Sequence, residues 1–241
     1  MNPLSNWLHC QKLYKWTVDL SKYENSKNYP YHFKDEINPG NTRDFEDKFR
    51  KSVNDGFPPD QYLVCGEVYF WKNNRSPQNK NSKTKETLEY LADPEHQKQF
   101  IEFLKELSRN PIHSNFKNFR QACNLPNGFA TPITYLSFYK PDEYPMIDKI
   151  IANWWKDDKN RSRFGIEHTP LFVQRKSDGW IQAVTELDSI SNWNAYLAWK
   201  EFCIRYSAIL TKATGTLWRA RDIEMTVWES HKKCFLLDKI L

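Results

Sequence analysis

The chain has 241 residues, of which 39 % are hydrophobic, 27 % charged and 15 % aromatic, and its formal net charge is +5. That length buries a core without disulfides or metals, and so many aromatic side chains exclude a disordered chain. No apolar stretch approaches the roughly 18–20 residues that cross a bilayer. Met1 to Trp16 show no charged start followed by an apolar run, so neither a membrane span nor a signal peptide is expected.

Cys10, Cys65, Cys123, Cys203 and Cys234 are odd in number and far apart, unlike a disulfide framework. They read as buried thiols in a reducing cytoplasm. The histidines (His9, His32, His96, His113, His168 and His231) form no pair at ligand spacing and flank no cysteine pair. No metal and no cofactor is expected.

In chain order the pattern is helical. Thr42 is positioned to cap a helix in which Phe45, Phe49 and Val53 recur every four residues, and Pro58-Pro59 end it. Tyr62 to Trp71 is an apolar run that periodicity alone reads as helix or strand. Residues 72–85 carry Lys72, Arg75, Lys80, Lys83 and Lys85 and no acid, so they either track a phosphate backbone or are solvated surface. Asp93-Pro94 starts a helix with Phe100, Phe103, Leu104 and Leu107 on one stripe, and another short helix covers 116–123.

A tight turn follows at Asn124-Leu125-Pro126-Asn127-Gly128-Phe129, and Thr131-Pro132 opens a helix with Ile133, Leu136 and Phe138. After a proline-rich connection at 140–147, Asp148 caps a helix bearing Ile150, Ile151, Trp154 and Trp155. Ser177-Asp178-Gly179 reads as the turn of one small β-hairpin over 171–184. Two helices, about 191–210 and 217–232, close the chain, the first carrying Trp193, Tyr196, Leu197, Cys203, Tyr206 and Leu210. No linker divides this pattern, so residues 1–241 read as one mainly α globular unit.

The segment from Phe119 to Trp155 carries the chemistry. A turn between two helices points backbone N–H groups outward, and a glycine at 128 supplies the positive φ such a nest needs. Beside a helix start at Thr131 the nest suits a phosphate. Downstream stands Asp148, a carboxylate at a helix start.

These residues resemble the helix-hairpin-helix (HhH-GPD) DNA glycosylase superfamily, whose hairpin Leu-Pro-Gly-x-Gly is followed downstream by Pro-Val-Asp. Leu125-Pro126-Asn127-Gly128-Phe129 and Tyr144-Pro145-Met146-Ile147-Asp148 are the counterparts. A bacterial branch of 8-oxoguanine-glycosylase-fold proteins looks more similar still. Its glycine, prolines, Phe and Tyr-Pro-x-x-Asp match Gly128, Pro132, Phe138, Pro141, Tyr144, Pro145 and Asp148. It also resembles the chain at Phe70-Trp71-Lys72-Asn73-Asn74-Arg75, and from Tyr196, Phe202 and Cys203 to Arg221-Asp222-Ile223-Glu224 and Trp228. The resemblance spans about residues 60–232.

The resemblance implies two helical lobes flanking a cleft and a monomer acting on duplex DNA with a flipped base, in the cytoplasm or on a bacterial nucleoid. Asp148 would be the catalytic carboxylate. Asn127, Gly128, Phe129, Thr131, Lys72, Arg75, Lys80 and Lys83 would hold the DNA backbone, and Trp71, Tyr144, Trp154 and Glu224 would line the base pocket. The sequence departs from the family at Phe129, where a second glycine is usual, and at Thr131, where bifunctional members carry a lysine. The iron–sulfur cysteines of some relatives are absent, and the position often held by arginine is Ile150.

Each assignment has a plainer counterpart. Asp148 is equally a helix cap, the tryptophans are equally core, Lys72 and Arg75 a surface turn, and Arg219, Arg221, Asp222 and Glu224 an ion network. A non-catalytic DNA-binding relative and a small-molecule or protein-interaction module stand as alternative functions.

Overall fold

The computed structural model describes residues 3–14, 42–73, 80–125, 128–182, 186–233 and 237–240, with side chains at all of these except 3, 73, 80–83 and 186–189. The described residues form eleven α-helices: α1 (Pro3–Leu13), α2 (Arg43–Asn54), α3 (Val64–Asn73), α4 (Lys80–Leu91), α5 (Pro94–Arg109), α6 (His113–Ala122), α7 (Ala130–Tyr139), α8 (Lys149–Lys156), α9 (Asp158–Phe164), α10 (Glu186–Thr214) and α11 (Ala220–Lys233). A 3₁₀ turn, Gln61–Leu63, leads into α3. The protein is mainly helical. No described helix is long and apolar enough to cross a membrane.

The run at 62–71 is helix, its ambiguity resolved by packing. Of the hairpin expected over 171–184, residues 171–182 are described and form a turn with one antiparallel bridge, Gln174 to Ile181; residues 183 and 184 lie outside the described residues, and no strand forms among those described. Asp93 caps α5 as its spacing predicts, accepting the Glu95 N–H at 2.9 Å. Thr42 does not cap α2 through its side chain. Its backbone is already helical (φ −68°), and its buried hydroxyl donates instead to Glu46 Oε1 at 2.8 Å.

The chain packs as two compact units. A central unit holds Lys15–Pro126 and Thr134–Lys140; a terminal unit holds Met1–Tyr14, Asn127–Ile133 and Pro141–Leu241. Helix α7 gives its first turn to the terminal unit and the rest to the central one.

In the central unit the apolar stripes of α2 and α5 meet α6 and α7. Phe100 lies edge-on to Phe119 and Tyr135, each at 5.3 Å, and Phe138 packs on Phe45 at 4.9 Å and Trp71 at 5.2 Å. Helix α4 crosses α3 at Gly66, where a β-carbon would come within 2.8 Å of the Leu88 side chain. The glycine is there for close approach.

In the terminal unit the 29-residue α10 is the spine. Trp193, Tyr196, Trp199, Phe202 and Tyr206 fall on its buried face. Trp154 and Trp155 of α8 pack against Trp199 and Phe202 at 5.5–6.1 Å, and Trp7 of α1 stacks on Tyr206 at 5.4 Å. Buried indoles need an acceptor: Trp7 and Trp155 donate to the carbonyls of Asp238 and Pro170, both at 2.9 Å.

Candidate functional site

Asp148 sits at the start of α8 with an extended backbone, φ −147° and ψ −175°. Its Oδ1 accepts the Ile151 N–H at 2.9 Å, the capping geometry its position predicts. Its Oδ2 accepts the indole N–H of Trp228 on α11, also at 2.9 Å. The carboxylate is half-buried. Each oxygen keeps acceptor capacity beyond its one protein donor.

The loop before Asp148 is nailed down. Tyr144, Met146 and Ile147 are buried. The Tyr196 hydroxyl donates to the Pro145 carbonyl and the Trp199 indole to the Met146 carbonyl, both at 3.0 Å. The first N–H groups of α11 close the other end. Arg221 N–H donates to the Pro141 carbonyl at 3.1 Å and Ala220 N–H to that of Asp142 at 3.2 Å. Helix starts leave such donors unsatisfied, so the loop and α11 complete one another. Aromatics of α10 thus set where Asp148 stands.

Helix α11 is buried from Ala220 through Ser230 although it carries four charged residues in that stretch and few large apolar ones. Charged side chains are almost never buried unless paired. Arg221 pairs with Glu224, and its guanidinium lies 6.0 Å from the Tyr14 ring. Arg219 holds Asp222 at 2.9 Å, and Asp222 Oδ2 accepts the Arg219 N–H at 2.9 Å. Arg219, Arg221, Asp222 and Glu224 therefore form the ion network that their spacing allows. Tyr14 meets Trp228 edge-on at 5.5 Å, and the Lys232 ammonium lies 4.8 Å from the centre of the Trp228 ring. The indole holding Asp148 is therefore itself in contact with an aromatic ring and a cation. Behind it Cys10 is buried near Glu229, and burial first, then that carboxylate, pushes the thiol up to about 11.

Of the residues expected to bind DNA or base, Gly128, Phe129, Thr131, Tyr144, Asp148, Trp154 and Glu224 fall in the terminal unit. Gly128 does not have the positive φ expected of it, and a β-carbon there would meet open space. Among the described residues of this turn, Asn124 takes the left-handed conformation, φ +48°. It ends α6 in a Schellman closure, with Asn124 N–H to the Gln121 carbonyl at 3.1 Å and Leu125 N–H to that of Arg120 at 3.0 Å. An asparagine tolerates that conformation.

The Phe129 side chain is core, 6.0 Å from Tyr196 and 6.4 Å from Trp193. Only its backbone is left to meet a phosphate. Trp154 is core as well. Glu224 is buried against Arg221, and Thr131 is nearly buried in the first turn of α7. The Lys200 ammonium lies over the Tyr144 ring at 4.3 Å.

Trp71 and Lys72 fall in the central unit, at the end of α3. Trp71 is buried on Phe138, and Lys72 is half-buried. Lys80 and Lys83 lie in the first turn of α4. Asn127, Arg75 and the side chains of Lys80 and Lys83 lie outside the described residues. No group of three or more His, Cys, Asp or Glu among the described residues converges as a metal site.

Two pairings escaped the sequence. Trp228 lies 80 positions from the carboxylate it holds; its only signal was membership of the last resembling patch. Lys48 of α2 reaches Glu67 of α3 at 2.9 Å. Burial, opposed by Lys48, pushes Glu67 up to about 7 and lowers Lys48 as well. A lone acid inside the apolar run Val64 to Trp71 was the available hint.

No family model matches the chain, and neither a curated protein nor a solved structure matches it.

Proposed function

We propose that the chain is a monofunctional DNA glycosylase-like enzyme that hydrolyses the N-glycosidic bond of a modified or damaged base, with Asp148 as its carboxylate. The observation that carries this reading is the set of bonds on Asp148. It is half-exposed, its two oxygens are oriented by donors from α8 and α11, and the loop leading to it is pinned through consecutive carbonyls. A carboxylate held this rigidly is suited to stabilise positive charge as it develops.

In the proposed reaction the base first leaves the stack, which costs a few kcal/mol. The glycosidic bond then breaks, the electron pair leaves with the base, and the sugar becomes cation-like. Asp148 stabilises that cation and accepts a proton from the water that attacks C1′, while the departing base takes up a proton from solvent and Asp148 afterwards returns its own to solvent. Thr131 offers no amine, so no Schiff base with the opened sugar is expected. Backbone N–H groups about Gly128 and the basic residues Lys72, Arg75, Lys80 and Lys83 would hold phosphates. The partner is duplex DNA, the working form a monomer, and the compartment the cytoplasm.

The test is a screen of duplexes carrying different modified bases, with alkali cleavage to reveal base loss. Wild type should release at least one base, and Asp148→Asn should bind the same duplex and release none. Release by Asp148→Asn, or a borohydride-trapped adduct with either protein, would reject this mechanism. A second reading, a non-catalytic DNA-binding relative, is favoured by one feature: both Asp148 oxygens already serve structural donors. DNA retention that weakens with salt, without base loss from any duplex, would select it.

A further inference from the structure

We propose that the hairpin tip at Trp180 is a second nucleic-acid contact, which stacks its indole on an unstacked base beside the start of α8. Every other described tryptophan is 3 % exposed or less, whereas Trp180 is 52 % exposed. An indole left in water contributes little to folding, because its stabilisation comes from area removed from water. The backbone that carries it is nevertheless fixed on both its amide and its carbonyl.

Asp178 Oδ1 accepts the Trp180 N–H at 3.0 Å, and the Trp180 carbonyl accepts the Arg175 N–H at 2.9 Å. Gly179 takes the positive φ, +69°, that closes the turn, and its carbonyl accepts from Gln174 Nε2 at 2.9 Å. The tip is also docked on one face of α8. Lys156 Nζ donates to Gln174 Oε1 at 3.1 Å, Gln174 Nε2 reaches Asn153 Oδ1 at 3.5 Å, and the Lys149 side chain runs alongside Gly179. Lys149 follows Asp148 directly, so the tip stands at the same end of α8 as the candidate carboxylate.

The charge around it has one dominant sign. Lys149, Arg175 and Lys176 are exposed. The acid of the turn, Asp178, is 3.6 Å from Arg175. Asp157 and Asp158 lie at the far end of α8, where Asp157 caps α9 through the Asn160 N–H. An exposed aromatic face on a fixed backbone, with exposed cations on the same turn and on the neighbouring helix, suits single-stranded or unstacked nucleic acid: bases stack on the ring and phosphates meet the lysines. The inference rests on the reading of DNA as partner, and it does not depend on the chemistry assigned to Asp148.

The experiment compares wild type, Trp180→Ala and Trp180→Phe. The probes are a single-stranded oligonucleotide and a duplex with an abasic-site analogue opposite 2-aminopurine, followed by gel retention and fluorescence. Trp180→Ala should weaken binding to both by about 5- to 100-fold, the range of one lost base–aromatic stack, and abolish the change in 2-aminopurine emission. Trp180→Phe should keep most of the affinity, and the melting temperature of Trp180→Ala should match wild type.

Wild-type binding with unchanged affinity in Trp180→Ala overturns the tip alone. Wild type that binds neither probe overturns both this inference and the DNA reading. Trp180-dependent binding without base release supports the tip and counts against the enzyme. Trp180-dependent sedimentation with phosphatidylserine–phosphatidylcholine vesicles, with oligonucleotide binding unaffected by the substitution, overturns the inference in favour of a lipid surface.

Discussion

Asp148 accepts the Ile151 N–H through one oxygen and the Trp228 indole through the other, so substitutions there change structure and charge together. Asparagine keeps an acceptor for Ile151, and it caps helices about as well as aspartate. Its amide nitrogen then faces the Trp228 N–H, donor against donor. Asp148→Asn is expected to cost about 1–3 kcal/mol of stability from that unmet donor, besides any loss of activity. Trp228→Phe removes the donor but leaves space in a buried site, so alone it also destabilises. Added to Asp148→Asn it should cost less than in wild type, a coupling of about 1–2 kcal/mol in a double-mutant cycle by urea denaturation. Additive effects would mean that the hydrogen bond contributes nothing. In a base-release assay Trp228→Phe should lower turnover more than DNA affinity, because the indole touches the carboxylate and not the partner.

At the scale of elements, close approach decides more than helix propensity. Gly66 lies inside α3, where alanine would ordinarily gain about 1 kcal/mol. A β-carbon there would come within 2.8–2.9 Å of three side-chain atoms of Leu88. Gly66→Ala is expected to destabilise the protein by about 1–3 kcal/mol despite its better propensity. Combining it with Leu88→Ala should recover part of that loss. Stabilisation by Gly66→Ala in thermal melts would show that α4 moves away freely. Helix α11 makes the complementary point. Its sequence reads as a polar surface helix, yet Arg221, Asp222, Glu224 and Glu229 are all buried. Its two ion pairs are formed three residues apart along the chain itself, so the charges enter the interior already matched.

For the molecule as a whole, the Lys48–Glu67 pair couples stability to pH. Burial raises the Glu67 carboxyl from 4.5 to about 7, its largest cause, while Lys48 pulls the other way. Between these values the folded protein holds a proton that the unfolded chain has released. The stability tied to Glu67 is therefore fully present below pH 4.5 and is lost as pH rises through about 7. The full change is about 3 kcal/mol. Glu67→Gln should flatten the dependence of unfolding free energy on pH between about 5 and 7. An unchanged slope in the variant would place the titration elsewhere. Since burial also lowers Lys48, the pair costs more to bury than its attraction returns.

Periodicity was sufficient for the helices with a clear apolar stripe, α2, α5 and α8, because a 3.6-residue repeat is a property of the chain alone. Local chemistry was sufficient for the Asp93 and Asp148 caps, since a carboxylate and an N–H a few residues away find each other without help from the rest of the protein. It failed at Thr42 and at Gly128, where a hydroxyl chose Glu46 and an asparagine took the left-handed turn position. The 62–71 run needed its neighbours to become helix, because a short apolar run satisfies either secondary structure until packing decides. The sequence by itself thus determined a mainly helical protein, the starts of α2, α5, α7 and α8, and the place of one candidate carboxylate. Only the tertiary structure decided that Trp228 would hold that carboxylate, that Glu67 would share a buried proton equilibrium with Lys48, and that Trp180 alone among the described tryptophans would face water. Those facts depend on residues far apart in the chain being brought within a few ångströms, and no local repeat encodes which distant surfaces will meet.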